Sequence, residues 1–252
     1  MEGKVAKENR ITEGSIFGQL LLFFFPILFG TFFQQLYNTA DAMVVGRFVG
    51  KQALAAVGGS TSTLINLLVG FFVGLSSGAT VVISQFYGAR KADKVHWAVH
   101  TSIAFSVIGG IIFMIVGLVG SPWALEAMKT PEDVMGHAVV YIRIYFLGII
   151  VNLVYNMGAG ILRAVGDTKR PLFFLIIAGI VNAALNLFLV IVLHLGVAGV
   201  AIATVIAQMI SCLLVLRCLY RSDGSYQLRF SAMTIKWIYL KQIFQVGIPA
   251  NR

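Results

Sequence analysis

Charged residues and cysteines are scarce in this chain of 252 residues. Only 12% of the residues are Asp, Glu, Lys or Arg, and 58% are hydrophobic, whereas a soluble globular protein is roughly 45 to 50% apolar. This composition excludes an ordinary soluble domain and predicts a protein that crosses a membrane several times. The two cysteines, Cys212 and Cys218, lie six residues apart in one apolar run, a spacing that favours neither a disulfide bond nor a metal site.

Sequence motifs for nucleotide hydrolysis and metal catalysis are also missing. The sequence has no Walker A loop, no H-E-x-x-H pair and no cysteine-rich metal spacing. The net charge of +9 would suggest nucleic acid binding in a soluble protein. Here the Lys and Arg residues fall in short loops between apolar runs, where the orientation of a membrane protein explains them. We therefore expect no enzyme activity, no cofactor and no nucleic acid partner.

Six apolar segments are each long enough to cross a hydrocarbon core of about 30 Å as a helix. They cover residues 15–46, 53–87, 97–120, 139–165, 172–193 and 197–219. The sequence thus predicts an all-α membrane protein with an N-terminal arm over residues 1–14, a six-helix transmembrane bundle over 15–222, and a linker with the start of a second bundle over 223–252. Most of the 19 Lys and Arg residues lie on the side of the bundle that holds both of its ends. By the positive-inside rule, the N-terminus is expected in the cytoplasm and the protein in the cytoplasmic (inner or plasma) membrane.

The first span carries one acid, Asp41, near its far end. An ionised carboxylate at the bilayer centre costs roughly 2.5 to 3.5 kcal/mol on insertion scales, so this side chain is predicted to face the protein interior. Gln34, Tyr37 and Asn38 precede Asp41 at helical spacing, which places the four side chains on one stripe. Because an intramembrane acid marks a functional site by default, we expect Asp41 to carry a function.

The polar residues of the later spans are neutral and also recur at helical spacing. Span four has Tyr141, Tyr145, Asn152 and Asn156; span five has Asn182 and Asn186; span six has Thr204, Gln208 and Ser211. Together with Asp41 they are candidates to line one water-filled cavity. The alternative is that the amides and hydroxyls only make interhelical hydrogen bonds, which contribute about 0.6 kcal/mol each on average. The sequence leaves both interpretations open.

One serine fits the pattern of a hydrolase nucleophile. Ser76 lies in Gly74-Leu-Ser-Ser-Gly78, which matches G-x-S-x-G, but that motif requires a strand entering a helix. Gly70, Gly74 and Gly78 instead recur every four residues, which favours close approach of another helix. An intramembrane serine hydrolase would also need a histidine at similar depth, and all four histidines fall at span ends or in loops. An intramembrane serine hydrolase is therefore a distant alternative.

Several segments, taken in order, resemble the multidrug and toxic compound extrusion (MATE) family, in the branch related to bacterial DinF-type exporters. They are PILFGTFFQQLYNTADAMVVGRFVGKQALAAVG, SQFYGARKADKV, ILRAVGDTKRP and LGVAGVAIATVIAQ, and the similarity covers residues 15–220. The resemblance implies the first half of a transporter with twelve helices in two six-helix lobes. It also implies export of organic, cationic, drug-like substrates in exchange for protons or sodium ions. The partners expected from it are the small-molecule substrate, the lipid bilayer and either a missing C-terminal lobe or a second copy of the chain.

The resemblance also implies a cation-coupling site around Asp41, formed with Tyr141, Asn156, Asn182 and Thr204. Many family members carry a second acid where this chain has Asn186, so the expectation shifts from a sodium ion at Asp41 toward a proton. Candidate substrate-cavity residues are Gln34, Tyr37, Asn38, Asn152 and Gln208.

A lipid-linked oligosaccharide flippase of the same superfamily is the main alternative function. It would need a larger and more basic cavity, and Arg143 is the only candidate cation inside the spans.

Overall fold

The computed structural model describes residues 16–247. The predicted N-terminal arm and residues 248–252 lie outside the described residues. In the described part the chain forms nine α-helices and no strand. The helices are α1 (Ile16–Phe48), α2 (Lys51–Gly58), α3 (Ser60–Gly88), α4 (Ala92–Ala127), α5 (Glu132–Leu147), α6 (Ile149–Ala164), α7 (Lys169–Leu187), α8 (Gly196–Tyr220) and α9 (Trp237–Gly247).

Each predicted span coincides with one helix or with a pair of helices. Four stretches are long and apolar enough to cross a membrane, and they are Lys51–Gly88, Ala92–Ala127, Lys169–Val192 and Gly196–Tyr220. Helices α5 and α6 together make a further span that bends by 51°, and α1, with 33 residues, occupies the first span. The predicted all-α membrane fold is confirmed.

Three departures from straight helices are not visible in the hydropathy pattern. The second span is divided into α2 and α3 at Gly59, and α7 continues into a π-helical turn, Phe188–Val192. The third departure is the bend between α5 and α6 at Gly148, where a Cβ atom would come within 2.5 Å of Val205 Cγ2 on α8. Glycine at this position lets α8 pack directly against the backbone of the bend.

Helix α6 lies at the centre of the bundle and packs against α3, α4 and α8. Its buried residues Met157, Ile161 and Leu162 belong to a core that α3, α4 and α8 also build. Helix α1 packs along α7, and α7 packs against α8. The inner face of α1 therefore meets the two helices whose polar residues the sequence singled out.

The glycine face of α3 is where α9 packs. A Cβ atom on Gly78 would lie 2.5 Å from the carbonyl oxygen of Ile243 and 2.7 Å from the backbone nitrogen of Gly247. A Cβ atom on Gly247 would in turn lie 2.9 Å from the carbonyl oxygen of Gly74. The close helix approach predicted from the glycine spacing thus occurs at the second and third glycines of the series.

We expect Gly78→Ala to push α9 away from α3, because the new methyl group would meet backbone atoms that cannot rotate aside. Overpacking of this kind costs about 1 to 3 kcal/mol, so the Tm of the detergent-purified protein should fall by several degrees. Gly70→Ala is the matched control, because no atom lies within 4 Å of its new methyl group. Equal Tm values for the two variants would contradict the described packing.

Candidate functional site

The Asp41 carboxylate lies on the inner face of α1, and the residue is only 7% exposed. Asn186 Nδ2 on α7 donates a hydrogen bond to Asp41 Oδ1. Thr204 Oγ1 on α8 lies 3.5 Å from Asp41 Oδ2. The prediction that this acid faces the protein interior is confirmed, and neutral hydrogen-bond donors, not a basic residue, hold it there.

A network of amides and a hydroxyl surrounds the acid. Asn186 Nδ2 also donates to Asn182 Oδ1 at 3.0 Å, and Asn182 Nδ2 donates to Thr204 Oγ1 at 3.4 Å. The carbonyl oxygen of Val200 lies 3.0 Å from Thr204 Oγ1. Because a hydroxyl has one proton, Thr204 donates either to Val200 or to ionised Asp41, and when it donates to Val200 it can accept from a protonated Asp41. The network can therefore adapt to a change of charge on the acid.

One oxygen of this network has no hydrogen bond. Asn186 Oδ1 is buried and lacks a partner among the described residues. Carboxylate, amide and hydroxyl oxygens are the ligands that hard cations prefer, and an amide oxygen is equally an acceptor for a protonated carboxyl group. The site thus has the donor set for a proton or for a small hard cation. In residues 16–247 no group of three His, Cys, Asp or Glu side chains comes together as a metal site.

Three tyrosines connect the acid with the rest of the bundle. Tyr37 on α1 and Tyr141 on α5 lie close enough to Asp41 to interact with its charge. Tyr145, one helical turn after Tyr141, lies close enough to Gln208 on α8 for their side chains to interact. These hydroxyl groups extend the polar network from Asp41 across to α5 and α8.

An open cleft lies next to this network, bordered by α1, α6, α7 and α8. Its lining is aromatic, aliphatic and amide-rich and includes no Asp, Glu, Lys or Arg. Its largest polar side chains are Gln34, Tyr37, Asn152, Tyr155, Asn156 and Gln208. Because Tyr37 lines the cleft and also interacts with Asp41, the cleft and the acid are neighbours. A lining that is mostly apolar with a few polar side chains is typical of a small-molecule site.

Two of the candidate residues lie elsewhere than the sequence suggested. Asn38 is exposed, donates to Gln35 Oε1 at 3.2 Å and does not line the cleft. An α-helix turns by about 100° per residue, so Tyr37 and Asn38 lie to either side of Asp41 around the axis of α1. Neighbouring helices cover only the side on which Tyr37 lies. Asn156 lines the cleft and donates to the carbonyl oxygen of Asn152 at 2.9 Å, whereas the resemblance had suggested a place beside Asp41.

Tyr155 lines the cleft but was not singled out from the sequence. Its hydroxyl donates to the carbonyl oxygen of Pro171 at 3.2 Å, which joins α6 to the start of α7. The available signal was its offset of three residues from Asn152, which places both side chains on one face of α6.

Ser76 has a structural role. The residue is 4% exposed, and its hydroxyl donates to the carbonyl oxygen of Asn156 at 2.9 Å, which ties α3 to α6. A Cβ atom on Gly160 would come within 2.8 Å of Ser76 Oγ, so the two helices are in close contact here. The G-x-S-x-G match therefore reflects helix packing.

A comparison with protein families agrees with this arrangement, because the family model described as MatE matches residues 26–188. The chain belongs to the MatE family. The "Probable multidrug resistance protein YpnP" of Bacillus subtilis (strain 168) is 30% identical to it over 246 residues, which are 97% of this chain and 54% of that protein. The "DNA damage-inducible protein F" of Escherichia coli (strain K12) is 26% identical over 184 residues, 73% of this chain and 40% of that protein.

A solved structure of a MATE protein supports the same assignment. The crystal structure of "MATE in the bent conformation" superimposes with a TM-score of 0.90 at 25% sequence identity, over 98% of this chain and 55% of that one. This MATE chain therefore spans about half the length of the relatives it matches and has the fold of one lobe. MATE proteins are transporters, so the hydrolase alternative with Ser76 as nucleophile is discarded.

Proposed function

We propose that this MATE chain is one lobe of a secondary active exporter that moves organic cations across the membrane in exchange for protons. The observation that carries the proposal is the position of Asp41, a buried carboxylate held by Asn186 and Thr204 beside an uncharged cleft. The aromatic rings of that cleft, Phe33, Tyr37 and Tyr155, can bind a cation through their faces. Asp41 supplies the negative charge that pairs with such a cation, because the lining of the cleft has none.

Coupling follows from the hydrogen bonds of Asp41. In its ionised form the carboxylate accepts hydrogen bonds from Asn186 and Thr204. A protonated carboxyl group has a proton to donate, and Asn186 Oδ1 is the buried acceptor without a partner among the described residues. The two charge states thus favour different orientations of the Asn186 amide and different contacts between α1 and α7.

Exchange of substrate for proton is then a linkage between two ligands. A substrate cation stabilises the arrangement with ionised Asp41, and a proton stabilises the other one. Each ligand shifts the conformational equilibrium only by its difference in affinity for the two arrangements, so binding of one favours release of the other. This reciprocity is what an antiporter requires.

The exporter needs a second lobe, because alternating access in such transporters works by movement of one bundle against another. The proposed partner is a C-terminal six-helix lobe or a second copy of this chain. The exposed apolar face of α1 supports this, since it consists of large side chains suited to contact lipid or another bundle. Its members are Phe24, Phe25, Leu28, Phe29 and Phe32.

We also propose that the protein lies in the cytoplasmic membrane with its N-terminus in the cytoplasm. The connections after α3, α6 and α8 lie at one end of the bundle, and together with the helix turns that flank them they carry 11 of the 19 Lys and Arg residues, which favours that end as the cytoplasmic one. The flippase alternative is not favoured, because the cleft is lined by no Lys or Arg and Arg143 is exposed on α5.

A direct test is export of ethidium, a fluorescent organic cation, from vesicles that contain this chain together with its second lobe. An imposed pH gradient should drive ethidium transport, and a protonophore that collapses the gradient should stop it. A sodium gradient at constant pH should not drive transport. Failure of both gradients to move ethidium would overturn the proposed function, and transport driven by sodium alone would overturn proton coupling.

A further inference from the structure

His100 is a buried imidazole that the proposed coupling site does not use. It lies near the start of α4 and is 0% exposed. Its Nδ1 is 2.7 Å from the carbonyl oxygen of His96, so Nδ1 carries a proton and donates. Its Nε2 accepts the backbone N–H of Arg229 at 3.0 Å. These two bonds together require the neutral tautomer with the proton on Nδ1.

The next residue on α4 holds the same segment at a second point. Thr101 Oγ1 accepts the backbone N–H of Lys236 at 3.2 Å and lies 3.4 Å from the carbonyl oxygen of Thr234. The Lys236 ammonium group lies 3.1 Å from the centre of the Trp97 ring. Residues 229–236, which we call the connector, lie between α8 and α9 and are thus fixed to the start of α4 at both ends.

The connector determines where α9 begins. Helix α9 starts at Trp237, directly after Lys236, and packs on the glycine face of α3. Its position therefore depends on two attachments, the glycine contact on α3 and the bonds from His100 and Thr101 on α4. The position of α9 also determines where any element that follows it begins.

We propose that His100 is a positioning residue that latches the connector to α4 and that a second proton on its ring changes the latch. A proton on Nε2 removes the acceptor of the Arg229 N–H and turns Nε2 into a donor toward the Arg229 carbonyl oxygen, 3.1 Å away. The ring then holds the same residue by its other backbone group. The Arg229 amide loses its partner, whereas the Lys236 amide keeps its bond to Thr101.

The charged surroundings add to the effect of a second proton. The charged groups that interact with His96, whose ring lies against that of His100, are Asp93 on α4 and Arg229 and Lys236 on the connector. The ring centres of His96 and His100 are 4.1 Å apart. A protonated His100 would therefore add positive charge beside two cations and one acid, and this repulsion acts on the connector itself. Where it concerns transport, the inference rests on the proposed function, but the latch itself does not.

Hydrogen exchange of the connector tests the latch on the intact protein. Protection of the Arg229 amide, corrected for the intrinsic exchange rate, should fall about threefold to tenfold when acidification adds the second proton to His100, whereas protection of the Lys236 amide should stay constant. His100→Ala should lose Arg229 protection whatever the pH. Thr101→Val should lose protection at Lys236 and keep the pH dependence at Arg229.

His96→Gln is the matched control, because His96 lies one turn earlier on α4 and is half-buried. This variant should keep the pH dependence of Arg229 protection. Arg229 protection that does not change with pH in the unmodified protein, or that becomes flat in His96→Gln, would overturn the latch. The assay needs no transport, so a flat protection profile with normal ethidium export refutes only the latch, and a normal profile without export refutes only the proposed function.

Discussion

Asp41→Asn is expected to reduce pH-gradient-driven export of ethidium to the level of vesicles without protein. The amide has nearly the shape of the carboxylate but cannot gain or lose a proton, so the two charge states that drive the exchange no longer exist. Its oxygen can still accept the hydrogen bond that Asn186 donates in the native protein. The fold should therefore survive, with an unchanged helical circular dichroism signal and a Tm within a few degrees of the native value.

Asp133→Asn is the matched control for this prediction. Asp133 is an exposed acid at the start of α5, and its contact is a hydrogen bond of 3.3 Å from Gln52. Removal of its charge should leave ethidium export unchanged. Native export rates in Asp41→Asn would contradict the role of Asp41, whatever the control does.

Asn186→Asp should make transport responsive to sodium. The substitution places a second carboxyl group against Asp41, and two carboxylates in one buried site cannot both be ionised without a cation between them. We expect the variant to export ethidium under a sodium gradient at constant pH, whereas the native protein should not. Measured initial rates with and without sodium should differ by about tenfold or more.

Asn38→Asp separates this effect from the mere addition of a charge to the transmembrane region. Asn38 lies on the same helix as Asp41 but is exposed and bonded to Gln35. Its replacement should not produce sodium-driven export. Sodium-driven export by the native protein at the rate of Asn186→Asp would contradict proton coupling through a single acid.

The sequence predicted the spans and the place of the acid because strong physical costs determine both. A carboxylate that faced lipid would be too costly, so the inward orientation of Asp41 followed without knowledge of its neighbours. Its bonds to Asn186 and Thr204 join residues 145 and 163 positions apart in the sequence. The helical spacing placed each amide on a face of its own helix, and the resemblance, not the spacing, suggested which faces meet.

Other features depend on packing that the sequence pattern does not reveal. The bend at Gly148 occurs where α8 presents Val205, although other glycines, such as Gly109 and Gly117, lie inside the continuous helix α4. The exposure of Asn38 depends on which side of α1 is covered by neighbouring helices. A stripe of polar residues shows which face of a helix is polar, but it does not show how much of that face the neighbouring helices cover. The latch of His100 on Arg229 depends on a contact between distant residues, which a histidine at the end of a span did not suggest.

The most direct test of the coupling carboxylate is the number of protons released when ethidium binds to the purified protein in weakly buffered detergent solution. We expect the native protein to release protons on binding over part of the pH range and excess protons to compete with ethidium. Asp41→Asn should release none. Proton release by Asp41→Asn equal to that of the native protein, or ethidium affinity of the native protein that is independent of pH, would contradict a coupling role for Asp41.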